Sequence, residues 1–324
     1  MRAIRTLLLA GAAAALWPAT AAAQGRRGGG GFWSGEEGPG SLVRGEGGML
    51  IDEDTVKTAR ETASHSTGTP EWKNPRGFEK DVFTFARVIF KSEARPGQPD
   101  FRSWGRGSRL GWWVDYPDAD LNLSYRLQQL TSLKVDPDCR VLKLSDPAIA
   151  DYPVIYTEHV GYMNLRDGEV TALRNYLQTG GVLWVNDFWG EDEWAGFESQ
   201  MKRVLPGRGW TELAADHPIF HCVFDLKGPI KAMQVPTIQF WNPDYDPKLP
   251  GSQLQTIYRG EGFETMHLRA WLDDKQRVMV LAIFNSDVSD GWEREGENNT
   301  YFHTFSEKIS YPLGINIVFY LMTH

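Results

Sequence analysis

Three polar residues follow apolar runs of this chain, and their side chains can transfer protons or accept hydrogen bonds. Glu158 and His159 come after "YPVIYT", and Asp187 comes after "VLWVN". A carboxylate near an imidazole suits acid–base chemistry, and a carboxylate alone can bind a polar ligand. The structural alternative for Asp187 is a cap on the helix that begins near Glu191, or a bond that fixes the turn before it. For Glu158 and His159 the alternative is a polar turn before Gly161.

The stretch "DYPDADLN" offers hard oxygen ligands of the kind that hold divalent cations. These are Asp115, Asp118, Asp120 and Asn122. Their spacing departs from the calcium-loop signature, and Asp118 or Asp120 would also serve as the N-cap of the helix that follows. We therefore predict a cap and no metal site or cofactor, and keep Asp115 as a candidate ligand-binding residue.

A second acidic stretch, "NSDVSDGWEREGENN" (285–299), is dense in Gly, Ser and Asn. This composition is typical of turns. The sequence therefore predicts a solvated loop here.

The apolar pattern predicts the elements that position these residues. Strands are expected in "VFTFARVIF" (82–90), "CRVLKLS" (139–145) and "YPVIYTEHV" (152–160), with a helix over 118–133. A helix from an N-cap at Asp167 to Gly180 leads to the next strand, "VLWVND". A right-handed strand–helix–strand crossover brings residues 158–162 and 186–190 to the carboxyl edge of one parallel sheet.

The rest of the chain predicts further elements and one long insertion. Residues 228–262 contain five prolines and predict a loop-rich insertion. The other expected elements are a helix at about 191–204, a short strand in "HPIFHCVFDL", a hairpin of "HLRAWLD" and "RVMVLAIFN", and a buried helix in "YPLGINIVFYLMT".

Several stretches, in this order and spacing, resemble the bacterial family catalogued as domain of unknown function 4159. They are "GWWVDYPDADLNLSYRLQQLT", "YPVIYTEHVGYMNL", "EVTALRNYLQTGGVLWVND", "HPIF" and "GINIVFYLMTH". The resemblance spans about residues 80 to 324. It implies a class I glutamine amidotransferase-like fold, a flavodoxin-like open α/β sandwich with a mainly parallel sheet. It implies no activity, because one fold hosts many chemistries.

The amidotransferase relatives carry a cysteine nucleophile in a tight elbow after a strand, and a glycine-rich loop that forms an oxyanion hole. The loop "EHVGYMN" (158–164) could take the place of the oxyanion-hole loop. The chain contains no Gly-x-Cys-x-Gly, and Cys139 precedes a predicted strand while Cys222 lies inside one. Glutaminase chemistry is therefore not expected, and Asp187 cannot replace a thiolate in it. A disulfide and two free thiols both remain open.

The first residues have the pattern of a secretory signal peptide. Arg2 and Arg5 precede an apolar run and the small residues Ala21–Ala23, so we expect cleavage before Gln24. The expected organisation is a signal peptide (1–23), a Gly-rich linker with a short N-terminal segment (24–77), and one α/β domain (78–324). This predicts export to the periplasm, with secretion as the alternative, and no membrane span in the mature chain.

Charge and aromatic content limit the partners. The net charge is −8, and about −10 without the two leader arginines, which argues against nucleic acid and anionic membranes. Thirteen tryptophans, many in predicted loops, suggest buried aromatic packing with two or three rings left to stack on a ligand. We expect an exported protein that binds a polar small molecule or an envelope protein. The alternative is a hydrolase of glycan or peptidoglycan fragments that uses Asp187 with His159 or Glu158.

Overall fold

The computed structural model describes residues 42–78, 81–93, 111–246, 248–249, 252–253 and 262–324. The expected signal peptide, the start of the glycine-rich linker and Trp104 lie outside the described residues. Among the helices within these ranges, none has the length and apolar character needed to cross a bilayer.

Eleven strands and six α-helices are described in these ranges. The strands are β1 (Leu42–Arg44), β2 (Leu50–Asp52), β3 (Ala86–Ile89), β4 (Lys91–Ser92), β5 (Arg140–Lys143), β6 (Val154–Glu158), β7 (Met163–Asn164), β8 (Val182–Asn186), β9 (Trp210–Glu212), β10 (His267–Leu272) and β11 (Val278–Phe284). The helices are α1 (Asp118–Leu130), α2 (Asp167–Gln178), α3 (Gly190–Val204), α4 (Asp290–Glu293), α5 (Asn299–Tyr301) and α6 (Tyr311–Thr323), and a π-helical run over Phe302–Ser310 leads into α6.

Seven strands form one sheet in the order β5-β3-β6-β8-β11-β10-β9. The first five of these pair in parallel, whereas β10 pairs antiparallel with both β11 and β9. Every residue of β6, β8 and β11 is buried, so both faces of the sheet centre are covered. The prediction of an α/β fold with a mainly parallel sheet is therefore confirmed, as is the hairpin of β10 and β11.

The helices cover the sheet in packed groups. Helix α1 packs against α4 and α6, and α2 packs against α3. Beneath these helices the core contains an aromatic cluster in which the Trp184 ring lies 5.0 Å from Tyr156 and 5.6 Å from Trp292, measured between ring centroids. Continuous apolar runs in the central strands supply this core, as expected for strands buried on both faces.

The segment before β3 is bonded to the domain. The backbone N–H of Ala59 donates to the carbonyl of Asp138, and the N–H of Val141 donates to the carbonyl of Lys57. The Arg60 guanidinium donates to the carbonyl of Pro137 at 2.9 Å. Residues 57–60 are therefore held along the start of β5.

The prediction of a strand in "HPIFHCVFDL" is wrong. Residues Pro218–Phe220 form a 3-10 turn instead, with the His217 ring accepting from the N–H of Ile219. The Asn316 side chain on α6 accepts from the N–H groups of Val223 and Phe224, at 3.1 and 2.8 Å. These donors therefore bond to a helix side chain in place of a neighbouring strand.

Candidate functional site

Loops that leave the carboxyl ends of parallel strands meet at one edge of the sheet, which we call the carboxyl edge. Asp115 lies between β4 and α1, Asp187 follows β8 directly, and Asp287 follows β11. One carboxylate oxygen from each of these three residues lies within 4.8 Å of the other two. All three residues are buried, with 1–3% of their surface exposed. Three buried carboxylates that can accept hydrogen bonds therefore lie close together at this edge.

His159 and Asp187 form a buried pair across the ends of β6 and β8. The imidazole Nε2 lies 2.5 Å from Asp187 Oδ2, and the Trp189 indole N–H donates to Asp187 Oδ1 at 2.7 Å. Helix α3 begins at Gly190 with Trp189 as its N-cap. The prediction of Asp187 as a helix cap is therefore wrong, whereas a bond from Asp187 that fixes the following turn is present.

Four residues at this edge adopt a left-handed backbone conformation. The φ angles are 57° at Asp115, 51° at His159, 50° at Asp187 and 59° at Asn285. Such angles are uncommon for residues other than glycine and cluster at functional sites, where the surrounding structure compensates for their cost. Each turn redirects the chain immediately after its strand or before its helix, and so fixes where the polar side chain leaves the backbone.

Glycine at position 161 lets the loop after β6 approach α3. A Cβ at this position would lie 2.4 Å from the Cβ of Glu193, whose carboxylate accepts from the N–H of Trp189 at 2.9 Å. This close approach connects the loop that carries His159 to the turn that carries Asp187.

We expect Gly161→Ala to destabilise the protein by about 1–3 kcal/mol, because the added methyl group overpacks this contact. Gly168→Ala is the control, since a Cβ there meets no atom of the described residues within 4 Å. In helix α2 that change should be neutral or stabilising by up to about 1 kcal/mol. Urea unfolding of both variants checks the prediction, and equal stabilities would contradict it.

Glu158 bonds to other side chains than His159 does and belongs to a buried ion-pair network. Its Oε1 accepts from the Arg87 guanidinium at 3.1 Å and from the Tyr156 hydroxyl at 2.5 Å. Arg87 also donates to both oxygens of Asp120 at 3.0 Å. Burial raises the pKa of Glu158 to about 7, although the charge of Arg87 acts in the opposite direction. The Arg87 guanidinium thus forms ion pairs with two buried carboxylates, Asp120 and Glu158.

This raised pKa predicts a pH-dependent stability. The folded state holds the Glu158 proton more strongly than the unfolded chain does, so this contribution is complete below pH 4.5 and is lost as pH rises to about 7. The loss should be on the order of 3 kcal/mol. Urea unfolding at pH 5 and pH 8 measures it. The Glu158→Gln side chain does not titrate, so this variant should show a smaller difference in unfolding free energy between pH 5 and pH 8. The same pH dependence in the variant and the wild type would contradict the prediction.

The predicted cap at Asp118 or Asp120 is also wrong. Pro117 precedes α1 as its N-cap, and the Asp118 carboxylate accepts from the Ser64 hydroxyl and from the His65 N–H instead. Asp120 turns toward Arg87. Both aspartates bind groups that are distant in the sequence, so local spacing could not identify their partners.

The first part of the acidic stretch after β11, residues 285–293, is buried, contrary to the prediction of a solvated loop, whereas residues 294–299 are half-buried or exposed. Asp287 accepts from the Thr237 hydroxyl at 2.8 Å and from the N–H of Asp290 at 3.0 Å. Asn285 accepts from the N–H of Gly190 at 2.9 Å and donates to the carbonyls of Gly262 and Thr265. The Ser and Asn residues that suggested a loop bond to other segments. Sequence reasoning therefore missed Asp287.

Burial raises the pKa values of Asp115 and Asp287, and neighbouring carboxylates act in the same direction. Asp290 lies near the Arg294 guanidinium at 3.1 Å, and Glu293 also contacts Arg294. No lysine or arginine of the described residues forms an ion pair with Asp115 or Asp287. Negative charge is therefore least compensated at these two aspartates.

The tryptophans expected near a cleft are mostly buried. Trp112, Trp113, Trp189 and Trp292 are at most 8% exposed, whereas Trp194 and Trp241 are half-buried. The indole N–H of Trp189 bonds to a candidate site residue, Asp187. Its ring therefore helps to hold the site together.

Fold and site together define an α/β domain with a buried acidic carboxyl edge. The chain belongs to the family described as "Domain of unknown function (DUF4159)", which matches residues 106–322 and so includes all the acidic residues of this edge. This confirms the resemblance seen in the sequence. Comparison with curated proteins found no match.

Proposed function

We propose that this chain binds a polar ligand at the carboxyl edge and does not act as a glutaminase. The observation that carries the proposal is the convergence of buried carboxylates from Asp115, Asp187 and Asp287, which come from loops on different strands. In open α/β sheets, ligands bind outside the carboxyl ends of the strands. Complete burial of the three residues favours a small molecule over an envelope protein as the partner.

The sheet order supports a flavodoxin-like, amidotransferase-like architecture. Numbered along the chain, the five parallel strands occur in the order second, first, third, fourth, fifth. This is the flavodoxin-like order, which reverses between β3 and β6. Arg87 on β3 and Glu158 on β6 bond across that position. The proposed site lies at the same carboxyl edge, with Asp187 and Asp287 on the loops after the neighbouring strands β8 and β11.

The charge of the edge indicates the chemistry of the ligand. Carboxylates accept hydrogen bonds and repel anions, so a matching ligand presents hydroxyl groups, N–H groups or positive charge. Sugars, polyols and amines meet this requirement, whereas phosphates and carboxylic acids do not. The ligand is therefore expected to be rich in hydrogen-bond donors.

The two cysteines support the absence of glutaminase chemistry. Both are free thiols; Cys139 is buried before β5, at the opposite end of that strand from the carboxyl edge, and Cys222 lies beside α6. Burial raises the pKa of both thiols, whereas an active nucleophile requires a lowered one. Neither cysteine meets the requirements for a nucleophile at this edge.

A hydrolase is the second candidate, and the His159–Asp187 contact of 2.5 Å favours it. A carboxylate that orients an imidazole is a common arrangement for proton transfer. Glu158 is less suited to the role of acid or base, because Arg87 and Tyr156 occupy its Oε1. His159→Gln separates the two candidates: it would abolish turnover in a hydrolase and would only weaken binding in a binding protein.

A thermal-shift screen tests the binding proposal. A panel of neutral sugars, amino sugars, polyols and diamines is added to the wild-type chain, to Asp187→Asn and to Asp225→Asn. Asp225 is a matched surface control, because its ion-pair partners within the described ranges are its sequence neighbours His221 and Lys227 and its side chain is 56% exposed. A panel member should stabilise the wild type and Asp225→Asn but not Asp187→Asn. Equal shifts in all three proteins would remove Asp187 from the site.

We also propose that the protein is exported to the periplasm, with secretion as the alternative. The charged start, apolar run and small-residue site before Gln24 support this. Protein isolated from the envelope fraction should begin at or within a few residues of Gln24. Amino-terminal sequencing that finds Met1 intact on the isolated product would contradict export by this route.

A further inference from the structure

The carboxyl edge also has the chemistry of a cation site. We propose that Asp115, Asp187 and Asp287 bind one hard divalent cation, Ca²⁺ in preference to Mg²⁺, and that the hydroxyl groups of a sugar or polyol ligand bind beside it. This inference rests on the proposed function, because it concerns the same edge. Ca²⁺ and Mg²⁺ are hard cations and prefer carboxylate oxygens to the nitrogen and sulfur ligands that softer metals bind.

Three buried carboxylates favour calcium over magnesium. One oxygen from each lies within 4.8 Å of the others, so they form one compact group of possible ligands. Mg²⁺ usually keeps several waters and is bound by one or two carboxylates, whereas Ca²⁺ takes about six to eight oxygen ligands. Three protein carboxylates that are at most 3% exposed therefore fit calcium better.

Buried oxygen atoms without partners provide an independent indication. Asp115 Oδ2 and Asn186 Oδ1 have no hydrogen-bond partner among the described residues, and the two residues are 3% and 0% exposed. The Asn186 amide donates to Ser289 at 2.7 Å, and the Ser289 hydroxyl donates to Asp287 at 3.1 Å, so Asn186 lies beside the carboxylates. A buried acceptor without a partner is costly, and a cation would supply one.

The charge distribution distinguishes this set from the acidic residues next to it. Asp115 also lies close to Asp290 and Glu293. Arg294 forms ion pairs with those two side chains. Among the described residues, neither Asp115 nor Asp287 forms an ion pair with an arginine or lysine, although Arg294 also attracts Asp115 more weakly. The cation is therefore expected at the group of Asp115, Asp187 and Asp287 rather than at the neighbouring group of Asp115, Asp290 and Glu293.

His159 is a positioning residue in this arrangement. Its Nε2 contacts one oxygen of Asp187 while the Trp189 indole N–H bonds to the other. Groups that hold a metal-binding carboxylate in place typically change metal affinity by about 10- to 100-fold when removed. His159→Gln should therefore weaken cation binding without removing a ligand.

Isothermal titration calorimetry of the full chain, treated with EDTA and dialysed, tests the inference with CaCl₂ and MgCl₂. We expect one saturable Ca²⁺ site per chain, tighter than for Mg²⁺. Asp115→Asn and Asp287→Asn should each weaken Ca²⁺ binding at least about tenfold, whereas the surface control Asp225→Asn should bind as the wild type does.

A second measurement separates lost binding from lost folding. In EDTA, Asp115→Asn should melt at or above the wild-type temperature, because a neutral amide removes repulsion from the cluster. Absence of saturable Ca²⁺ binding in the wild type, tighter Mg²⁺ binding, or unchanged affinity in both Asn variants would each overturn the inference.

The ligand panel, repeated in EDTA and in CaCl₂, distinguishes this inference from the proposed function. A panel member that binds equally in both conditions, without Ca²⁺ binding, would overturn the cation site and support the ligand site. Calcium binding without any response to the panel would support the cation site and contradict the ligand site.

Discussion

Arg87→Ala is expected to destabilise the folded protein by about 3–5 kcal/mol, or to prevent folding altogether, because it leaves two buried carboxylates without their cation. Arg87 is completely buried and serves both Asp120 and Glu158. It also donates to the carbonyls of Trp112 and Val114, at 2.7 and 3.0 Å. The loss would therefore extend to the segment that carries the site aspartate at position 115.

Arg140→Ala is the matched control. This arginine lies on β5, next to β3, and its guanidinium is 3.9 Å from Asp136 with 38% of the side chain exposed. Exposed pairs of this kind contribute about 0–1 kcal/mol. Urea unfolding of both variants measures the difference. An Arg87→Ala cost as small as that of Arg140→Ala would contradict the account of the network.

Trp184→Ala is expected to cost about 3–5 kcal/mol, because it removes a large side chain from the centre of the core. Trp184 is fully buried on β8 and packs against Tyr156, whose hydroxyl bonds to Glu158. Its indole N–H has no hydrogen-bond partner among the described residues. Trp184→Phe should therefore cost clearly less than Trp184→Ala, because it keeps an aromatic ring and removes the unbonded N–H group.

Thermal or urea unfolding of the two Trp184 variants makes this comparison directly. Equal losses in Trp184→Phe and Trp184→Ala would contradict the account, because they would mean that the indole contributes something a phenyl ring cannot replace. An Ala variant as stable as the wild type would contradict the central position of this ring.

Much of the sheet could be predicted from the sequence, because its signals are local. The apolar runs at 154–158 and 182–186 are strands as expected, and the parallel pairing follows from the helix between them. The segment around Cys222 could not be predicted in this way. Its backbone donors bond to Asn316, about 90 residues later, and no local pattern encodes that partner.

The candidate site could likewise be predicted only where its residues follow a strand that local signals identify. His159 and Asp187 follow predicted strands, so the crossover rule brought them to one edge, and the structure places them in contact. Asp287 follows β11 in the same manner, but its Gly-, Ser- and Asn-rich surroundings indicated a solvated loop. The burial of Asp287 depends on Thr237, a residue of the insertion, and such long-range bonds are not visible in composition.

A crystal structure of the chain soaked with the strongest hit of the ligand panel would show whether the carboxyl edge binds a polar ligand. We expect density for the compound at this edge, with a hydroxyl or amine group at hydrogen-bond distance, about 2.7–3.2 Å, from the carboxylate of Asp187. Density for the compound elsewhere on the protein, with this edge unchanged, would contradict the claim.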